Sequence, residues 1–133
     1  MAKMKKQTIT IHTVPIGKPR MTQRDKWFAR AATAKYWAYA ARVRAAAGLS
    51  GKSQTAPLRV DWVVYLPIPK SWTAKRRAEV AGQPHRQRPD RDNIDKGLLD
   101  ALFADDSGVA QGVMAKFWDD GKGPRIILTL YWS

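Results

Sequence analysis

The chain contains no cysteine. This excludes disulfides, zinc–cysteine centres and thiol catalysis, and it is compatible with a reducing compartment. Acidic residues are scarce. Eleven stand against twenty-four lysines and arginines, a formal charge of +13. No apolar run approaches the roughly 18 residues that span a membrane. The opening stretch MAKMKKQTITIH alternates polar and apolar residues and lacks the continuous apolar region of a signal peptide. These absences lead to the expectation of a cytoplasmic protein with no membrane partner.

What is present argues for a folded chain. Apolar residues make up 44% and there are six tryptophans among 133 residues. Such a chain is expected to form one domain over residues 1–133 with a real core. The cationic excess favours polyanions, of which nucleic acid is the commonest. An amphipathic helix with a clean basic face, which an acidic membrane would need, is not evident.

The few acids are not spread evenly. RPDRDNIDKGLLDALFADD, residues 88–106, holds Asp90, Asp92, Asp95, Asp100, Asp105 and Asp106. Against Arg91 and Lys96, residues 90–106 carry −4, which leaves +17 on the rest of the chain. A polyanion drawn to the rest would be repelled here unless cations intervened.

Periodicity places the cluster in a fold. Residues 7–14 alternate and read as a strand. PIGKPRMTQ reads as a loop, and residues 24–48 as a long alanine-rich helix that Gly48 stops. PLRVDWVVYL, residues 57–66, is the strongest strand, ended by Pro67 and Pro69. Ser71 is the expected N-cap of a short basic helix. A helix over about 91–104 follows, then a strand over 109–118, a DDGKGP turn and a last strand, IILTLYW. The order β-α-β-α-α-β-β fits an α+β fold, one mixed sheet of about four strands packed with helices. The two end strands are apolar enough to be central in the sheet or buried in a dimer. Trp27, Trp37, Trp62, Trp118 and Trp132 are expected in the core or an interface. Trp72 is the candidate for another role, and His12 reads as a structural residue of the first strand.

On the acidic helix, Asp92, Lys96 and Asp100 fall within roughly 80° of one another at 100° per residue. Ile94, Leu98, Ala101 and Leu102 form the opposite, apolar face. Leu99 and Phe103 lie on the polar side, so either they pack on another element or that face is also enclosed. Ordinary explanations exist for each acid taken singly. Asp90 suits an N-cap, and Asp92 and Asp95 suit the helix dipole. Asp92 and Lys96 suit an i,i+4 ion pair, and Asp105 and Asp106 suit a turn. The cluster is harder to explain that way, because aspartates at a helix C-terminus oppose its dipole and crowded carboxylates repel. Metal-assisted phosphodiester cleavage needs such a set: oxygen ligands for magnesium and a nearby cation to offset developing charge. How Asp105 and Asp106 would meet Asp90 and Asp92 stays open between chain reversal, a facing strand and a second subunit.

RPDRDNIDKGLLDALFADDSGV resembles the signature of the RusA-type Holliday junction resolvases, often encoded by phages and prophages. The matching positions are Asp90, Asp92, Asn93, Lys96, Asp100, Ala101, Leu102, Asp105, Asp106, Ser107 and Val109. GKPRMTQRDKW and PKSWTAKRRAEVAG are similar to upstream segments of that family. The resemblance implies a homodimeric endonuclease that binds four-way junction DNA and nicks opposed strands in recombination and repair. Mg2+ or Mn2+ would be its cofactor, with no small-molecule cofactor. It implies Asp90, Asp92 and Asp106 as essential carboxylates and metal ligands, with Asp105 the alternative to Asp106. Lys96 would be the catalytic lysine, supported by Asn93 and Asp100. The link before the Asp-Asp pair, Phe103-Ala104, is shorter than in some members. The restriction-type PD…(D/E)xK pattern fails, since Asp95 and Lys96 are adjacent and on a helix.

DNA phosphates would be met by Lys18, Arg20 and Arg24, with Lys26 beside them, by Lys75 and Arg76 with Arg77 beside them, and by Arg86 and Arg88 next to His85. Two other readings compete. One is a non-catalytic nucleic-acid-binding protein with a structural aspartate cluster. The other is an assembly protein whose acidic segment meets a basic partner surface.

Overall fold

The computed structural model describes residues 5–19 and 31–132. The elements are β1 (Lys5–Ile11), α1 (Ala31–Ala46), β2 (Arg59–Leu66), α2 (Ala74–Val80), α3 (Arg91–Leu102), β3 (Met114–Trp118) and β4 (Arg125–Trp132). The expected order holds. The sheet runs β1-β4-β2-β3, with β2 and β3 parallel and the other pairs antiparallel.

Strict alternation makes β2 the spine of the core. Val60, Trp62, Val64 and Leu66 are buried on one face, and Ile126, Leu128 and Leu130 of β4 join them. Across from them α1 contributes Tyr36, Tyr39, Ala40 and Val43, and α3 contributes Ile94, Leu98, Ala101 and Leu102. Leu99 and Phe103 are also buried, so the polar side of α3 is partly enclosed; Phe103 meets Trp132 edge-on at 6.2 Å. β4 is central as expected. β1 is an edge strand of the chain, not a central one, with Lys5, Lys6, Gln7 and Thr8 exposed.

Several boundaries move for local reasons. The α1 helix closes on a Schellman turn: Leu49 N–H reaches Arg44 O at 2.9 Å and Gly48 N–H reaches Ala45 O at 3.0 Å, with Gly48 at φ 77. The cap of α2 is Thr73, not Ser71, because the Thr73 hydroxyl accepts from Arg76 N–H. The last strand before the hairpin is shorter than 109–118. Residues 109–113 run beside β2 only through scattered bonds, such as Ala110 N–H to Leu58 O and Trp62 N–H to Val113 O. His12 lies just past the end of β1 and is exposed, not within the strand as expected.

The tryptophans divide. Trp62 and Trp118 are buried and Trp132 is half-buried, but Trp37 is 49% exposed because it faces away from the sheet on α1. Trp72 is half-buried between Trp118, 5.1 Å away, and the Arg76 guanidinium, 3.5 Å from its ring. Trp27 lies outside the described residues.

Candidate active site

The loop before α1 and α1 itself both hold α3. The loop before α1 lies along it, with Lys18 N–H donating to Asn93 O at 3.1 Å. The Tyr36 hydroxyl donates to Gly97 O at 2.8 Å, and Gly97 lets the backbone at Ile16 and Lys18 approach closely. Burial pushes the Tyr36 phenol up to about 12, so it stays a donor. Lys18 then reaches Asp100 at 3.1 Å and lies 4.6 Å from the Tyr36 ring centre. Asp100 thus has a defined ion-pair partner.

Asp95 has a different task from its surface-like pattern. It accepts the Trp62 indole N–H at 2.9 Å and so ties α3 to the middle of the sheet. Asp95→Ala leaves a buried donor unsatisfied, which costs about 1–3 kcal/mol. We expect that loss as a lower urea midpoint with unchanged m, while Asp95→Asn, which keeps an acceptor, loses less. Equal midpoints for Asp95→Ala and wild type would show that the bond adds nothing.

The start of α3 presents the proposed ligands. Asp90 occupies the N-cap position with φ −67 and ψ 149, yet its side chain makes no capping bond. Asp92 is exposed in the first turn. It forms no ion pair with Lys96, also exposed, so the simple i,i+4 explanation does not apply to this pair. Asp90 and Asp92 accept no side-chain bond from any described residue.

At the other end of the helix the two aspartates separate in character. Asp105 accepts Ser107 N–H at 3.0 Å, and that bond holds its carboxyl below the usual range. It is a turn residue. Asp106 is half-buried, and its carboxylate has no partner among the described residues. Twelve residues of α3 put about 18 Å between the helix ends. Among the described residues no group of three or more His, Asp or Glu lies close enough to hold an ion. One chain therefore brings together Asp90 and Asp92 at a helix start, and leaves Asp105 and Asp106 beyond its far end.

Cations surround Asp90. A groove of about 600 Å³ is walled by Arg86, Arg88, Arg91, Lys116 and His85 as well as Asp90. A second, of about 580 Å³, is lined by Lys18, Arg88, Asp90 and Asn93. Arg86 and Arg88 are exposed there, as phosphate contacts require. His85 is buried with its ring 4.2 Å from Trp118, and burial, then the Lys116 charge, lower its pKa. On α2, Lys75 and Arg76 are exposed, whereas Arg77 donates to Pro69 O at 2.7 Å and serves the fold. Arg20, Arg24 and Lys26 lie outside the described residues.

A family model described as Endodeoxyribonuclease RusA matches residues 11–131. The chain belongs to the RusA endodeoxyribonuclease family. The match covers β2, β3, all but the last residue of β4 and all three helices, so the groove around Asp90 in this RusA family member belongs to the matched region. A search of curated proteins gave no match.

Sequence reasoning overlooked Lys116. Its ammonium donates to Gln87 O at 2.6 Å and to Pro89 O at 2.8 Å. Burial lowers its pKa, while the Asp90 charge acts in the opposite direction. A lysine in the strand MAKFW carries no signal of its own, since alternate strand residues are commonly polar.

Proposed function

We propose that this RusA family member is a divalent-metal-dependent endonuclease that resolves four-way DNA junctions by paired nicks, acting as a homodimer in recombination and repair. It would work in the cytoplasm, in a phage or prophage setting. The observation that carries the reading is Asp90: a carboxylate at a helix start that makes no cap bond, sits beside Asp92 and is ringed by cations.

The residues suit magnesium. That ion commonly takes one or two carboxylates, several waters and substrate phosphate oxygens. Asp90 and Asp92 would hold it, and Asp106, which lies beyond the far end of α3 in the same chain, would join as a third ligand only from the partner of the proposed dimer. Manganese has the same taste for oxygen. Bound there, such an ion stabilises charge on phosphoryl oxygens and activates water.

The protein's own groups do the rest. Arg86 and Arg88 would hold backbone phosphates along the groove, with Lys75 and Arg76, and Arg20 and Arg24, extending the basic track. Lys18 would keep Asp100 and the groove floor in place. Asn93 lines the same wall as Asp90 and would orient the ligand set. Lys96, one helical turn past Asp92, would offset charge on the transition state.

A synthetic four-way junction tests this. With Mg2+ we expect nicks in two opposed strands, no product in EDTA, and little cutting of a linear duplex of the same sequence. Tight binding without nicks in either Mg2+ or Mn2+ would leave the aspartates as structural groups of a binding protein.

A further inference from the structure

We propose that Lys116 is a positioning residue that sets the place of Asp90 by fastening the loop in front of it. The proposal rests on the reading of Asp90 as a metal ligand.

Three bonds converge from this one residue. Lys116 is locked in the sheet opposite Val64. Its backbone carbonyl accepts His85 N–H at 3.0 Å. Its ammonium donates to Gln87 O at 2.6 Å and Pro89 O at 2.8 Å. Residues 85, 87 and 89 are thus all tied to a single strand position, and Asp90 is the next residue. The same stretch carries Arg86 and Arg88 between the tied residues, and both line the groove.

Asp90 needs such support. A capping aspartate is held by the helix N–H groups that it accepts. The Asp90 side chain accepts none, so α3 does not fix its carboxylate. Its place is set by the backbone on either side: the Asp90 carbonyl accepts Ile94 N–H at 3.1 Å, and Lys116 holds the preceding carbonyl, at Pro89. A charged donor makes a stronger bond than a neutral one, and two carbonyls shared by one ammonium fix direction as well as distance. Groups that orient a metal ligand in this way typically change metal affinity by about 10–100-fold when removed.

A structural lysine could hold the loop without bearing on the metal, so the test must read Asp90. Mn2+ binding to the full chain without DNA, followed by the EPR signal of the unbound ion, does so. Lys116→Met is expected to weaken Mn2+ binding about 10–100-fold. In an Asp90→Asn background the same change is expected to add less than about threefold, because the two act as one unit. Unchanged Mn2+ binding by Lys116→Met, or full additivity with Asp90→Asn, overturns the proposal. Should Lys116→Met lose its far-UV circular dichroism, Lys116→Gln enters the same cycle with the same two outcomes. If Asp90→Asn itself binds Mn2+ like wild type, the metal assignment of Asp90 fails and takes this proposal with it. If Asp90→Asn is weakened and the cycle is additive, only the role of Lys116 fails.

Discussion

Asp92→Asn is expected to lower junction nicking about a thousandfold while leaving junction binding within a few fold of wild type. The size follows from the ion it would help to hold, since metal stabilisation of transition-state charge is worth several kcal/mol and each 1.36 kcal/mol is about tenfold in rate. The fold has little reason to respond. Asp92 is exposed in the first turn of α3 and has no described partner, so its amide leaves nothing unpaired. Binding has a reason to hold or improve, because one negative charge is removed next to a polyanion. Single-turnover rates at saturating Mg2+, set beside gel-shift affinities in Ca2+, separate the two effects. A variant that nicks within about tenfold of wild type would remove Asp92 from the site.

Much of the architecture was legible because periodicity carried it. β2 alternates without exception, and its buried residues are the ones that alternation selects. The apolar stripe of α3 likewise predicted Ile94, Leu98, Ala101 and Leu102. Pairing was less legible. Nothing in the apolar character of the first strand said that it would be the edge and β4 the centre, since that is decided by which partners close the sheet. In sequence the acidic segment is one cluster, and the fold divides it by task. Asp95 serves Trp62, Asp100 serves Lys18, and Asp105 closes a turn. Each of these partners is distant in sequence or depends on a turn geometry, so spacing alone could not assign them.

The same division sharpens the assignment of the remaining acids. Carboxylates that have protein partners already have their oxygens engaged, by a cation at Asp100 and by neutral N–H donors at Asp95 and Asp105, and gain less from an ion. Asp90, Asp92 and Asp106 are the members of the cluster left without such partners among the described residues. They are also the three that the resemblance of the acidic segment to the RusA signature implies as ligands. Hydrogen bonding thus distinguishes Asp106 from Asp105, while the fold keeps both about a helix length from Asp90 and Asp92 within one chain. Lys116 stood out in neither way, because its bonds are to backbone carbonyls, which have no sequence identity.

The second large effect is expected at Lys96. Lys96→Met should lower the nicking rate about 100–1000-fold, the cost of deleting one preorganised charge aimed at a developing anion. Lys96 is exposed on α3, and it is not drawn into an ion pair with Asp92 one turn away. Its ammonium is therefore available to a phosphoryl oxygen instead of being neutralised by the ligand set. Removing it leaves the core untouched, so the thermal midpoint should stay within a degree or two of wild type. The effect should fall on the rate at saturating Mg2+ and saturating junction, with both half-saturation values little changed, because the interaction belongs to the transition state. A lysine that only gripped the DNA backbone would behave otherwise. Its loss would weaken binding and reduce the slope of log affinity against log salt by about one. A saturated rate within about threefold of wild type, accompanied by that smaller salt slope, would make Lys96 a phosphate contact and leave the transition-state charge to Arg86 and Arg88.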